Sequence, residues 1–303
     1  MTSAEREEIA VYRDRIAEEI VHALGFSRWG TMRRCLSPFF RLPAGRFAAV
    51  IARADRETRT SGLGDGSRRL MADLSLEPAV RGAEKIPLSG PLLLASNHPG
   101  AYDSVAIMAC VRRSDLKVVL SDVALSRAFS SARRYFIFAP PGTAGRALAL
   151  RASIDHLKSG RALLIFPHTE VEPDPEISPG AMPAIEDWSR SLEIMLRRVP
   201  ESRLQVTMAS GVLLPRFLHH PLVKIRRSAA KRQKLAEVMQ ICRQIISPRG
   251  VRPEIHLTFG TPVQGRDVLR DGGMPAVIGM ARRLLEDHMA SVRRTRGDGG
   301  RGV

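Results

Sequence analysis

From about residue 80 onward, short apolar runs alternate with segments whose apolar residues recur at helical spacing. Six runs predict strands, at 91–96, 116–121, 134–139, 162–166, 204–211 and 254–260. Five segments predict helices, at 102–111, 146–159, 184–198, 228–246 and 274–292. Because strands that alternate with helices are typical of α/β proteins, we expect a mixed, largely parallel sheet flanked by helices.

The first 75 residues lack this alternation and predict an N-terminal helical region. Apolar residues recur every three or four positions across 5–24, whereas the glycine-rich stretch 61–69 predicts a loop. We expect the α/β domain to span 76–292. The Gly- and Arg-rich end, 293–303, predicts a disordered basic tail.

The chain carries 47 Lys and Arg against 31 Asp and Glu, a formal net charge of +16. This charge favours an anionic partner, which could be nucleic acid, an anionic membrane or a phosphate-bearing substrate. No zinc-finger, RNP-type or basic-zipper pattern accompanies the charge, so we expect no nucleic-acid partner.

Two segments have the composition of a membrane-contacting surface. Residues 28–51 interleave aromatic and arginine side chains. This pattern suits either contact with an anionic membrane surface or ordinary packing. If it contacts a membrane, the N-terminal region 1–75 is a membrane-docking region. The helix predicted at 228–246 begins with basic residues, but an apolar stripe of this kind normally faces the core of its own protein.

The sequence holds no run of about 20 apolar residues, the length that a membrane-spanning helix requires. It also begins with charged residues rather than a signal-peptide core. The three cysteines lie far apart, without zinc-ligand spacing. We therefore expect a cytoplasmic protein without a zinc site or a disulfide framework.

The stretch "SNHPGAYDS" follows the predicted buried strand 91–96 and places His98 five residues before Asp103. A turn at this position lies at the carboxyl edge of the sheet, where α/β proteins usually carry their sites. The carboxylate could orient the imidazole as a general base. The residues alone favour an ordinary turn, with Asn97 and Asp103 as turn and cap residues and His98 incidental.

A second polar segment, "PHTEVEPDPEISPG", follows the predicted strand 162–166 and therefore lies at the same edge. Its prolines and acidic residues favour either a binding loop or a solvated, proline-stiffened loop. Arginines that could bind a phosphate group flank the strand at 134–139; these are Arg133, Arg134 and Arg146.

The order of these motifs resembles the glycerol-phosphate and lysophosphatidate acyltransferase superfamily over about residues 80–262. Asn97, His98 and Asp103 match its N-H-x-x-x-x-D block. Phe166 and Pro167 match the start of its F-P-E-G-T block. The remaining three positions of that block differ, and they hold His168, Thr169 and Glu170.

Two further blocks of the family are recognisable by position. Arg146 stands as a displaced counterpart of the arginine that usually follows the strand of the second block. In the fourth block Thr207 replaces the usual proline, while Gly211 and the apolar run after it agree with the family pattern.

The resemblance implies an O-acyltransferase with a glycerolipid acyltransferase-like fold. In such enzymes the histidine, here His98 oriented by Asp103, deprotonates a hydroxyl that attacks the thioester of acyl-CoA or acyl-carrier protein. The implied acceptor is a lysophospholipid or a related glycerolipid or glycolipid, and neither a cofactor nor a metal is needed, because a thioester is already activated. Since such acceptors lie in membranes, the resemblance also implies peripheral association with the inner face of the cytoplasmic membrane. The implied substrate-binding residues are Asn97, Gly100, Arg134, Arg146, His168, Thr169 and Glu170.

Two other functions remain open at this point. Because the family's Glu and Gly in the third block shape the acceptor site, their replacement by His168 and Thr169 is compatible with an inactive lipid-binding relative. In an active enzyme Glu170 or Glu172 could compensate for the missing carboxylate. A basic nucleic-acid-binding protein is the second alternative.

Overall fold

The structure is a computed structural model that describes residues 3–23, 30–122, 124–168, 170–226, 228–247 and 250–299. The helices are α1 (Ser3–Ala23), α2 (Gly30–Ser61), α3 (Leu63–Asp73), α4 (Ala101–Cys110), α5 (Ala124–Ala128), α6 (Thr143–Lys158), α7 (Ala181–Glu186), α8 (Ser191–Arg198), α9 (Pro215–Leu218), α10 (Pro221–Lys224), α11 (Ala229–Ile246), α12 (Gly265–Arg270) and α13 (Met274–Gly299). The strands are β1 (Ala79–Arg81), β2 (Leu92–Ser96), β3 (Lys117–Ser121), β4 (Phe136–Ala139), β5 (Ala162–Ile165), β6 (Arg203–Ser210), β7 (His256–Phe259) and β8 (Val263–Gln264).

The chain divides into two units, each assembled from separate segments. The helical unit comprises residues 1–77, 122–134 and 213–253, and the α/β unit comprises 78–121, 135–212 and 254–303. The helical unit thus takes in α5, α9, α10 and α11 as well as the N-terminal helices. Within the described residues, no helix is both long and apolar enough to cross a membrane.

The α/β unit is built on an eight-stranded sheet in the order β1-β7-β6-β2-β5-β3-β4, with β8 paired to β6. The pairs β1–β7, β2–β5, β2–β6, β3–β4 and β3–β5 are parallel, whereas β6 runs antiparallel to β7 and β8. The predicted mixed, largely parallel sheet is therefore confirmed. Strand β2 is central, and its residues 92–95 are fully buried, which explains its uninterrupted apolar sequence.

Helix α13 continues through residues 293–299, which the sequence assigned to a disordered tail. The helix-favouring residues Ala290, Arg293 and Arg294 precede the glycines that suggested disorder. Residues 300–303 lie outside the described part of the chain.

The helical unit packs around apolar stripes of α1 and α2. Tyr12, Ile16 and Ile20 of α1 recur every four residues and are buried against Ala44 and Ala48 of α2. Val238 and Cys242 of α11 pack on the same cluster, so the apolar stripe of α11 faces the unit's own core. The predicted membrane-contacting segment 28–51 is described only in part, because residues 28–29 and the side chains up to residue 42 lie outside the description.

The glycine-rich stretch 61–69, predicted as a loop, forms most of α3 (Leu63–Asp73). Gly66 is buried where α3 crosses α2. A Cβ atom at Gly66 would lie 2.7 Å from the carbonyl oxygen of Ala54 and still closer to the Thr58 hydroxyl. The glycine therefore permits a close helix contact, a use that local sequence does not distinguish from a flexible loop.

Asp55 of α2 is a buried carboxylate, 1% exposed, that organises the segment after α5. It accepts hydrogen bonds from the backbone amides of Ser130, Ser131 and Ala132 at 2.8–3.1 Å. It also accepts from the hydroxyl groups of Ser130 at 2.6 Å and Tyr12 at 3.1 Å. Burial and the neighbouring Asp55 charge raise the pKa of the Tyr12 phenol, so Tyr12 acts as a donor.

We expect Asp55→Ala to lower the free energy of unfolding by about 3 kcal/mol, because several buried donors lose a charged acceptor. Urea denaturation followed by circular dichroism measures the change. Asp65→Ala is the matched control, since Asp65 forms an exposed ion pair with Arg68 that contributes little. Equal effects of the two substitutions would contradict the role given to Asp55.

Candidate active site

The central strands of the sheet bring two segments together at one edge. Strand β2 lies between β5 and β6 and runs parallel to both, with Ala95 opposite Ile165 of β5. The carboxyl ends of parallel strands meet at the same edge. The turn that contains His98 after β2 and the loop 166–180 after β5 therefore lie side by side, as the sequence predicted.

His98 and Asp103 are in direct contact. The His98 Nδ1 atom lies 3.0 Å from both carboxylate oxygens of Asp103. Because a carboxylate only accepts hydrogen bonds, Nδ1 carries the ring proton and Nε2 is the basic nitrogen. The Asp103 side chain is fully buried, whereas the His98 side chain is 27% exposed and can be reached by a substrate.

The backbone at the start of α4 fixes the Asp103 carboxylate. The amide of Gly100 donates to Oδ2 at 3.1 Å, and the amide of Ser104 donates to Oδ1. The first turn of α4 therefore uses two of its amides to bind this carboxylate, in the manner of a helix cap. The amide of Gly100, a predicted substrate-binding residue, is one of them.

The loop after β5 contacts His98 on two sides. The Phe166 ring packs on the imidazole, with 4.5 Å between ring centroids and 35° between planes. Glu172 is paired with the His98 backbone, since the His98 amide donates to Glu172 Oε2 at 2.6 Å and the Glu172 amide donates to the His98 carbonyl at 2.8 Å. These contacts hold the histidine between the two segments.

Glu172 is 1% exposed and also accepts a hydrogen bond from the buried Trp188 indole, Nε1 to Oε1, at 2.8 Å. Burial raises the pKa of Glu172 to about 7, although the hydrogen bonds from Trp188 and from the His98 amide act in the opposite direction. Trp188 reaches this position because the helix predicted at 184–198 is interrupted between α7 and α8. The sequence named Glu172 only as a possible replacement for the missing third-block carboxylate, and its contact with His98 was not predicted.

Asn97, a predicted substrate-binding residue, spans the end of the sheet. Its Nδ2 donates to the Ala209 carbonyl at 2.9 Å, and its Oδ1 accepts from the Ala209 amide at 2.8 Å. The buried side chain thereby continues the pairing between β2 and β6 by one residue. This contact fixes the direction in which the chain enters the turn at His98.

Two third-block residues that the structure describes, His168 and Glu170, are less buried than the loop's inner acidic residues. Glu170 is exposed, and its carbonyl lies 2.8 Å from Nδ1 of the half-buried His168. Thr169 lies outside the described residues.

The two predicted arginines belong to different units. Arg146 is exposed on the first turn of α6 in the α/β unit. Arg134 belongs to the helical unit, where its Nη2 donates to the Thr58 carbonyl at 3.1 Å.

Two more acidic side chains of the loop are removed from solvent, since Asp174 is buried and the side chain of Glu176 is 3% exposed. Asp174 accepts hydrogen bonds from the amides of Gly211 at 3.0 Å and Val212 at 2.9 Å, just after β6. It also accepts from the Glu176 amide at 3.0 Å. The segment is therefore anchored along its inner side, although its composition was equally compatible with a solvated loop.

Glu176 belongs to a buried polar network between the loop, the sheet and α13. Its Oε1 accepts from Ser210 Oγ at 2.6 Å and lies 2.8 Å from His256 Nδ1, while Oε2 pairs with Arg296 at 2.5 Å. His288 of α13 bridges the hydroxyls of Ser210 and Thr258. Ser210 is fully buried, so its contact with His288 is structural rather than nucleophilic.

The pKa values of this network follow from its partners. Burial acts to raise the pKa of Glu176, but hydrogen bonds from His256 and Ser210 together with the Arg296 charge lower it. Burial lowers the pKa of His288 to about 4. No group of three or more His, Cys, Asp or Glu residues in the described part of the chain is arranged to hold a metal ion.

We expect the network to make the fold acid-sensitive. His288 binds a proton below about pH 6.5 when unfolded but only near pH 4 when folded, so its contribution to stability falls as the pH drops through that window. The difference in unfolding free energy between the protein and His288→Gln should shrink by about 3 kcal/mol from pH 7 to pH 4. Urea titrations across this range measure it. His219→Gln, on an exposed histidine, is the control, and a pH-independent His288→Gln difference would contradict the expectation.

No model of a protein family and no curated protein matches the chain. Among solved structures, the fold is similar to the crystal structure of the 1-acyl-sn-glycerophosphate (LPA) acyltransferase, PlsC, from Thermotoga maritima. The match covers 92% of this chain and 94% of that chain, at 14% sequence identity and a TM-score of 0.47.

Proposed function

We propose that the chain is an O-acyltransferase that transfers a fatty acyl group from acyl-CoA or acyl-carrier protein to the hydroxyl of a lysophospholipid or a related glycerolipid or glycolipid. The observation that carries the proposal is the contact of an accessible imidazole with a fully buried carboxylate at the carboxyl end of the central strand. The order of the sequence motifs supports the same reaction class.

In the proposed reaction, His98 Nε2 removes the proton of the acceptor hydroxyl as its oxygen attacks the thioester carbonyl carbon. Asp103 stabilises the imidazolium and keeps the ring oriented. The tetrahedral intermediate then expels the thiolate, and His98 donates to it the proton that it removed from the hydroxyl. One oxygen ester forms, one thioester breaks and a free thiol leaves, so no cofactor is consumed.

Glu172 acts in this proposal as a positioning residue. Its carboxylate and its amide both bind the His98 backbone. The position of the imidazole is therefore fixed through the backbone of His98 as well as through the contact of its ring with Asp103. The ionised carboxylate would also stabilise a positive charge on the nearby ring. We propose Arg146, His168, Thr169 and Glu170 as substrate contacts, as the motif resemblance implies. Asn97 and Gly100, which the resemblance also implies, position the turn in this proposal through their hydrogen bonds to Ala209 and Asp103.

We further propose that the protein works as a peripheral protein at the inner face of the cytoplasmic membrane, where a lipid acceptor is found. The net charge of +16 supports contact with an anionic surface.

We expect His98→Ala to lower the rate of acyl transfer by about a hundredfold or more, because the general base is lost. The measurement uses labelled acyl-CoA and acyl-carrier protein with a panel of defined lysolipids. His219→Ala, on an exposed histidine of the helical unit, is the control. Undiminished transfer by His98→Ala would refute the mechanism, and lysolipid binding without any transfer by the unaltered protein would favour an inactive lipid-binding relative.

We expect Glu172→Gln to move the acidic limb of the kcat/KM pH profile to lower pH, because an imidazolium without a nearby negative charge loses its proton more readily. The maximal rate should fall as well, since a neutral amide does not accept both hydrogen bonds. Glu186→Gln, on an exposed carboxylate of α7 that has no role in the proposed site, should leave the profile unchanged. A reduced rate with an unshifted profile would restrict Glu172 to a purely structural role.

A further inference from the structure

One segment of the helical unit carries a large share of the positive charge. Residues 213–253 contain ten Lys and Arg and a single acidic residue, Glu237, so this segment has a formal charge of +9 within a chain of +16. The stretch 202–236 holds no acidic residue at all. Such a segment attracts anionic partners strongly, because few local carboxylates offset its field.

Two large aliphatic side chains project from the same segment. Leu222 of α10 is 57% exposed, and Ile225, three residues later, is 74% exposed. Residues three apart lie on one face of a helical turn. Their neighbours Phe217 and Val223 are buried, so α9 and α10 already have an inner apolar side and Leu222 and Ile225 form a second, outer one.

Basic side chains surround this outer apolar pair in the sequence. Lys224 and Lys231 are exposed, and neither forms an ion pair with a carboxylate in the described part of the chain. Arg216 and Arg252 line a shallow cavity of about 380 Å³ together with Leu214, Pro215 and Gly250. The guanidinium of Arg216 is held there by a 2.5 Å hydrogen bond to the Gly250 carbonyl.

We propose that Arg216, Leu222, Lys224, Ile225 and Lys231, here called the α10 surface, dock the protein on an anionic lipid bilayer. Leu222 and Ile225 enter the boundary between head groups and acyl chains, as the apolar side chains of interfacial helices do. The lysines contact lipid phosphates, and the cavity beside Arg216 accepts one phosphate head group. This proposal rests on the proposed function, because docking on a bilayer would bring the enzyme to its lipid acceptor. Binding of the protein to a bilayer can nevertheless be measured without acyl transfer.

The exposed aliphatic pair favours a membrane over nucleic acid. A phosphate backbone offers nothing to the side chains of Leu222 and Ile225, whereas a bilayer removes them from water. Single-stranded nucleic acids are usually bound by aromatic side chains that stack on bases. The aromatic residue next to this surface, Phe217, is buried.

The test is co-sedimentation of the full chain with vesicles of phosphatidylcholine containing about one third phosphatidylglycerol, compared with phosphatidylcholine alone. We expect binding to the anionic vesicles that weakens as salt is raised above about 0.15 M. Leu222→Ser with Ile225→Ser should lower the partition coefficient about tenfold. Lys224→Glu with Lys231→Glu should lower it by a similar factor on anionic vesicles only.

Matched controls come from the α/β unit. Leu148 is 66% exposed on α6, so Leu148→Ser tests the loss of an exposed leucine elsewhere. Arg151→Glu with Lys158→Glu makes the same charge change on exposed positions of α6. Both control variants should bind vesicles as the unaltered protein does, and the thermal midpoint of every variant verifies folding.

Unchanged vesicle binding by Leu222→Ser with Ile225→Ser would overturn the proposal. Equal loss of binding in the control variants would overturn it too, as would tight binding to DNA at about 0.15 M salt without sedimentation with vesicles. The His98→Ala variant separates this inference from the proposed function. That variant should sediment with anionic vesicles normally, so a failed activity test and a failed docking test give different results.

Discussion

The turn after β2 depends on carboxylates that are removed from water and bonded to backbone amides. Asp103 binds the amides of Gly100 and Ser104 while it faces the His98 ring, and Glu172 binds the His98 amide from the other side. Each carboxylate places negative charge where amides point, which is favourable only because those amides are fixed by α4 and by the sheet. The histidine is therefore oriented by its backbone and by its ring at the same time.

The sequence predicted the sheet better than it predicted the helices around it. All six strands expected from apolar runs occur, because strands buried on both faces must be apolar throughout, as β2 is. The strands β1 and β8 are three and two residues long and carry no pattern of their own. Gly66 shows why α3 was missed, since its role depends on the distance to Ala54 in another helix.

The sequence likewise predicted only part of the candidate site. His98 and Asp103 were predictable because they are close in the chain and their motif has a fixed spacing. Glu172 lies 74 residues from His98, and only the parallel pairing of β2 with β5 brings them together. A local signal existed nonetheless in the closely spaced acidic residues after β5, although residues 175–177 form a turn rather than an extended segment. Glu172 and Asp174 are buried and the side chain of Glu176 is 3% exposed, whereas Glu170 is exposed.

These three neighbouring carboxylates differ in what stabilises their charge. Glu176 has the guanidinium of Arg296 as well as His256 and Ser210, and its pKa is lowered despite burial. Asp174 receives three backbone amides. Glu172 accepts from an indole and one amide, which do not outweigh its burial, and its pKa rises to about 7. Of these three carboxylates, the one whose protonation changes near neutral pH is thus Glu172, which is bonded to the His98 amide. The protonation of the His98 imidazole and that of the Glu172 carboxylate are therefore coupled.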